Sequence, residues 1–154
     1  MEYHEYMTSG DDQAPAPAKT CEDLWSLLQF FKAHTARIAD KHGLTPIQFG
    51  ALRTIADQAE KGATMGRIAR KLHCDASNAT GIVDRLTALQ LVIRQDNPED
   101  RRVKLLVLTP RGKTVLSKAL KELPEVLGCA RLDDRERETL HRLVVKLTSV
   151  ANGY

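Results

Sequence analysis

Apolar residues recur at helical spacing through most of this chain, and the recurrence breaks in one region only. Leu24, Leu27, Leu28, Phe31 and Ile38 form a stripe that predicts a first helix. Thr20 is placed to cap it, with Glu22 and Asp23 in its first turn and Gly43 as its stop. Thr45-Pro46 restarts a helix, because proline at the first helical position lacks only an N–H that would have no partner there. Phe49, Leu52 and Ile55 are its inward side. Thr64 caps a short helix through Leu72, and Asp75 caps the next, from Ala76 to about Leu89, with Ile82, Val83, Leu86 and Leu89 inward. Then the period changes. Leu91–Gln95 and Val103–Leu108 are rich in Val, Ile and Leu and read as strands. The connection Asp96-Asn97-Pro98-Glu99-Asp100-Arg101-Arg102 is charged and turn-forming, which makes a hairpin, or wing. Thr109-Pro110 repeats the helix start, and Val115, Leu116, Leu120, Leu123 and Leu127 carry that helix to about Ala130, with Pro124 as a point of kinking. Asp133 and Glu136 form a capping box for a last helix striped by Leu140, Leu143, Val144 and Leu147.

The order predicts a mainly α fold: a winged helix-turn-helix core with a two-stranded β wing, flanked by helices at both ends. Residues 1–19 show no period and are expected to be a disordered tail ahead of one domain, 20–154. Within it, 45–109 form the winged-helix lobe. The flanking helices, 20–42 and 110–152, carry stripes that so small a core cannot cover, which predicts that they dimerise.

Composition narrows the function. The 154 residues are 42% hydrophobic and 28% charged, the balance of a single globular domain with a core. No apolar run approaches the roughly 20 residues that cross a bilayer. Residues 1–10 lack the basic and apolar stretches of a signal peptide, so a cytoplasmic protein is expected. Cys21, Cys74 and Cys129 are too far apart for a zinc motif, and the five histidines form no ligand pair. Phosphate-binding and nucleophile-elbow motifs are missing as well. No metal, no cofactor and no enzyme activity are expected. The charge is informative once divided: residues 64–113 hold 10 basic and 5 acidic side chains, whereas residues 1–60 hold 5 and 9. Such a basic block suits a polyanion, although a solvated face has the same composition.

The segment 64–89 adds chemistry. Ala69 is small enough for two helices to cross closely, and His73-Cys74-Asp75 make the turn. The second helix opens on Ala76-Ser77-Asn78-Ala79-Thr80-Gly81, short enough to approach a base pair and polar enough to reach its edge. Asparagine matches adenine's donor and acceptor, and Arg85, two turns on, reaches a phosphate or a guanine. Arg101 and Arg102 at the wing tip suit a narrow minor groove. Asp100 would repel DNA and is expected to orient an arginine through an ion pair. Arg94 and Lys104 complete the expected contact set.

The segment DASNATGIVDRLTALQLVIRQDNPEDRRVKLLVLTPRGKTVL, with LTPIQFGAL upstream, resembles the MarR (multiple-antibiotic-resistance regulator) family from about Leu44 to Leu116. Asp100-x-Arg102 followed by Leu108-Thr109-Pro110 is fairly specific for it. The resemblance implies a homodimeric transcription factor, a repressor in the expected case, with one lobe on each half of a palindromic site. It assigns Ser77, Asn78 and Thr80 to the major groove and Arg102 to the minor groove. Two positions depart from the pattern: Gln90, where relatives often have glycine, and Gly81, where many have a larger side chain.

The resemblance also implies a switch. A small aromatic or acidic ligand would sit among Trp25, Phe30, His34, Arg37, Phe49 and Arg53, although side chains of these types more often serve as core and interface residues. Cys21 has the spacing of the hydroperoxide-sensing branch and lies near a helix start, where the dipole favours a thiolate. The tyrosines of that branch are unmatched, Thr35 and Pro46 standing in their places. Redox sensing through Cys21 and a dimeric adaptor that binds no DNA are the alternatives to a ligand-released regulator.

Overall fold

The computed structural model describes residues 15–59, 62–98, 100 and 102–151. It comprises two compact units, Met1–Lys32 and Ala33–Tyr154. The order of elements is α1 (Pro17–Lys41), α2 (Pro46–Asp57), β1 (Ala63–Thr64), α3 (Met65–Lys71), α4 (Ala76–Ala88), β2 (Val92–Asp96), β3 (Lys104–Leu108), α5 (Pro110–Val126), a 3-10 turn (Cys129–Arg131) and α6 (Asp134–Ala151). Among the described residues, no helix is long and apolar enough to cross a membrane.

Helix starts follow the capping chemistry. The Thr45 hydroxyl accepts the Gln48 N–H, and the Gln48 side chain returns a bond to the Thr45 N–H at 2.8 Å, a reciprocal box that also satisfies the buried Gln48. Thr64, Asp75 and Thr109 cap α3, α4 and α5. At α6, Asp133 and Glu136 exchange bonds of 2.8 and 2.9 Å.

Four features differ from expectation: two helix boundaries, the number of strands and the burial of one residue. Helix α1 begins at Pro17, not Thr20, because a proline's fixed φ suits the first turn. Thr20 lies inside that helix and donates to the Ala16 carbonyl. Residues 17–19 are therefore helical, residues 15 and 16 lead into the helix, and residues 1–14 of the expected tail lie outside the described residues. Helix α5 ends at Val126, two residues past Pro124, and Gly128 takes φ +75 ahead of the 3-10 turn. The wing is also part of a three-stranded antiparallel sheet in the order β1-β3-β2, since Ala63 and Thr64 pair with Leu106 and Leu105. Leu89, expected inward, is exposed.

The core of the second unit joins Leu52 and Ile55 of α2, Ile68 of α3, Val83 and Leu86 of α4, and Val92 of β2, all fully buried. Gly112 lets α5 meet the sheet: a Cβ there would lie 2.1 Å from the Leu91 carbonyl oxygen. That carbonyl accepts the Thr109 N–H at 3.0 Å, while the Thr109 hydroxyl donates to the Gln90 carbonyl at 2.7 Å. Gln90 itself takes φ +58, the left-handed conformation that glycine adopts at less cost. Further along α5, the Glu122 carboxylate accepts from Lys41 Nζ at 2.8 Å and bonds His42 Nε2 at 2.9 Å.

Candidate nucleic-acid interface

Helices α3 and α4 are joined by a short turn in which His73 takes φ +50. The Cys74 N–H donates to the Ala69 carbonyl at 3.0 Å, which closes α3 and delivers the chain to Asp75. Helix α4 then buries Ala79, Val83 and Leu86 at helical spacing and leaves Ser77, Asn78, Thr80, Gly81 and Arg85 exposed.

Asp75 organises this exposed end. Its Oδ1 accepts the Asn78 N–H and the Ser77 hydroxyl, each at 2.7 Å, and its Oδ2 accepts Asn78 Nδ2 at 2.9 Å. These bonds, the Asn78 N–H first and the Ser77 hydroxyl next, hold the carboxyl below the usual aspartate range. Because a carboxylate only accepts, the Asn78 amide must turn its nitrogen toward Asp75, which leaves Oδ1 and the second N–H to face outward. Thr80 donates to the Ala76 carbonyl at 2.8 Å. Ser77, Asn78, Gly81 and Arg85, with Ile47, Cys74 and Ile82, line an open depression of about 420 Å³. A Cβ on Gly81 would meet nothing within 4 Å, so this glycine keeps the surface low rather than relieving a clash.

The wing is placed by the sheet register, Val92 opposite Leu108 through to Asp96 opposite Lys104. Two expected DNA contacts turn out to be paired internally. Arg94 donates to Asp84 of α4 at 2.6 Å, and Lys104 pairs with Asp96 across the hairpin. Arg101 lies outside the described residues. Asp100 differs from expectation in how it acts: its Oδ1 accepts the Arg102 backbone N–H at 3.0 Å, and its carbonyl accepts the Val103 N–H at 2.9 Å. It shapes the turn through the main chain, and the Arg102 side chain is exposed.

Of the expected ligand residues, His34 and Arg37 are brought together. With Ile38, Lys41, Glu122 and Val126 they line a concavity of about 360 Å³. Phe49 is instead buried in the core, and Arg53 sits on the surface of α2, 4.0 Å from Asp57. Trp25 and Phe30 belong to the first unit, where both are exposed. Cys21 is exposed, but with α1 starting at Pro17 it lies in the second turn, past the reach of the helix-end dipole invoked for it. Asp75 and Asp84 are the site residues that sequence reasoning left out. The Asp-x-x-Asn spacing 75–78 was a usable signal for the first, whereas the second needs the placement of β2 against α4.

The MarR family model matches residues 42–103. A protein named as the transcriptional regulator of the hcr operon in Thauera aromatica is 30% identical over 119 residues, 76% of this chain and 70% of its own. The crystal structure of a transcriptional regulator from Pseudomonas aeruginosa is 31% identical, with a TM-score of 0.62 over 82% of this chain and 95% of that one. Wild-type MarR from Escherichia coli, 22% identical, shares the fold at a TM-score of 0.68 over 88% of this chain and 98% of that one. A winged helix whose second helix presents an ordered polar end thus coincides with kinship along most of the chain, and the protein belongs to the MarR family of DNA-binding transcription regulators.

Proposed function

We propose that this regulator binds a palindromic operator as a homodimer and represses transcription in the cytoplasm until a small aromatic or acidic ligand releases it. The observation that carries the reading is the end of α4, where Asp75 holds the Asn78 amide in one orientation on an exposed surface. Asn78 presents an acceptor and a donor together, the pair that matches adenine in the major groove. Ser77, Thr80 and Arg85 flank it, and the low surface at Gly81 admits the base edge. Arg102 enters the minor groove from the wing, steadied by Asp100. Arg94 and Lys104 are supports in this reading: each is neutralised by an aspartate and holds the wing to α4 or to itself.

Dimerisation is supported by apolar faces with no cover. On α6, Leu143, Val144 and Leu147 are each about half exposed, at 49%, 47% and 52%. Exposed stripes of this kind mark interfaces, and two-fold pairing of lobes matches a palindrome. For the ligand, the concavity at His34 and Arg37 offers side-chain N–H donors beside Ile38 and Val126, a lining that suits a carboxylate with an apolar body.

Fluorescence anisotropy against a duplex from the protein's own promoter, with a scrambled duplex as control and two salt concentrations, tests the reading. Preference for the promoter by a factor on the order of 10³, weakened by salt, is expected. Equal, weak binding to both duplexes would overturn it in favour of an adaptor.

A further inference from the structure

The exposed face of α4 carries one acidic side chain. Asp84 stands seven residues after Ser77, four after Thr80 and three after Gly81, the spacings that share a helical face, and it is exposed with them. A carboxylate there repels the phosphates that border the groove α4 is read as entering, so its presence calls for another role. Its partner supplies one: Arg94 of β2 donates to Asp84 Oδ1 at 2.6 Å. Among the described residues this is the one ion pair between α4 and the wing strands.

Arg94 occupies the ladder position at which the wing leaves the core. Val92, Arg94 and Asp96 share one face of β2, because strand side chains alternate. Val92 is fully buried opposite Leu108, whereas Arg94 and Asp96 are exposed, and Asp96 is occupied across the hairpin by Lys104. Three ladder steps lead from Arg94 to the bond between the Asn97 N–H and the Val103 carbonyl, roughly 10 Å, and Arg102 lies beyond it. With an arm of that length, a small swing at the base displaces the tip by several ångströms, against a minor groove about 6 Å wide. At 38% and 55% side-chain exposure the pair adds little to folding stability. What it fixes is direction, the angle between α4 and the arm that carries Arg102. We propose that Asp84 and Arg94 are positioning residues whose ion pair sets the wing to the reading helix, so that the minor-groove probe and the major-groove readers engage one duplex in register. This rests on the regulator reading and extends it: an acidic residue on the reading helix strengthens DNA binding, and Arg94 acts on the operator without touching it. The rival role, Arg94 on a phosphate with Asp84 as a drag on affinity, predicts the opposite sign for Asp84.

The test is the affinity of the full chain carrying Asp84→Asn, Arg94→Gln or both for promoter and scrambled duplexes, alone and combined with Arg102→Ala. Asp84→Asn removes a negative charge facing DNA, yet it should weaken promoter binding by about tenfold, as should Arg94→Gln, and the double variant should lose no more than either single one. Arg102→Ala should cost little further in the Asp84→Asn background, since the tip is then no longer held in the groove. Base preference at the positions under the wing should fade while those read by α4 keep their ranking, and the Tm should not change. Promoter binding by Asp84→Asn as tight as that of the unsubstituted protein, or tighter, overturns the proposal. So do losses that add in the double variant, or a fall in Tm that accounts for the lost binding. Failure of the regulator reading has another signature: the unsubstituted protein then binds both duplexes equally, and the proposal falls with it.

Discussion

Helices α4 and α6 are both amphipathic by the same rule of spacing, yet they meet different fates in the chain. Helix α4 sets Ala79, Val83 and Leu86 into the core with no exposed surface left on them. In α6, no residue from Asp134 to Ser149 is buried, and Leu140, Leu143, Val144, Val145 and Leu147 are between 41% and 52% exposed. An apolar stripe states that something must cover it; only tertiary structure states what. For α4 the cover is the lobe itself, which frees its polar end for DNA. For α6 the cover is the partner copy in our reading, and the two helices divide reading from assembly.

The comparison breaks most visibly on α6. Leu143→Glu with Leu147→Glu should yield a monomer by analytical ultracentrifugation and lower operator affinity at least about 100-fold, because two linked lobes bind far better than one. A variant that stays dimeric would put the interface elsewhere. Within the lobe, Gly112→Ala should cost about 3 kcal/mol in chemical denaturation, since its Cβ would press on a backbone oxygen that cannot yield without breaking the Thr109 bond. Unchanged stability would show that α5 can shift off the sheet. Smaller again is Arg102→Ala, expected to weaken operator binding by about 2 kcal/mol, near thirtyfold, with dimer and Tm intact. If affinity is kept, the wing tip does not enter DNA.

The smallest effect concerns pH. Hydrogen bonds from Lys41 and then His42 hold the Glu122 carboxyl below the ordinary glutamate value of 4.5. A depressed carboxylate contributes stability that is present above its unfolded value and lost as pH falls through its folded one. The unsubstituted protein should therefore lose stability below pH 4.5 more steeply than Glu122→Gln. Parallel pH profiles for the two proteins would contradict this.

Much of the lobe was legible because its signals are local. Thr45, Thr64, Asp75, Thr109 and Asp133 each cap a helix where their spacing from the apolar stripes placed them. Strand β1 was not legible: two residues carry no period, and Ala63-Thr64 becomes a strand only by pairing with β3. The start of α1 was not legible, because its apolar stripe begins only at Leu24 and Pro17 lies in a stretch without period. In the site, Ser77, Asn78, Gly81 and Arg85 were legible as exposed positions of one helix. The pairing of Arg94 with Asp84 was not, since ten residues and a change from helix to strand separate them. Counting charge along the chain identified the basic block but could not tell a spent cation from an available one.

In the proposed function Asn78, held by Asp75, reads a base. The direct measurement is the affinity of the protein and of Asn78→Ala for a panel of operator duplexes carrying each base in turn at every position of the half-site. Asn78→Ala should lose discrimination at one position per half-site, by about 1–3 kcal/mol, and rank all other positions as before. If every position keeps its ranking in the variant, Asn78 reads no base and the proposed interface is wrong.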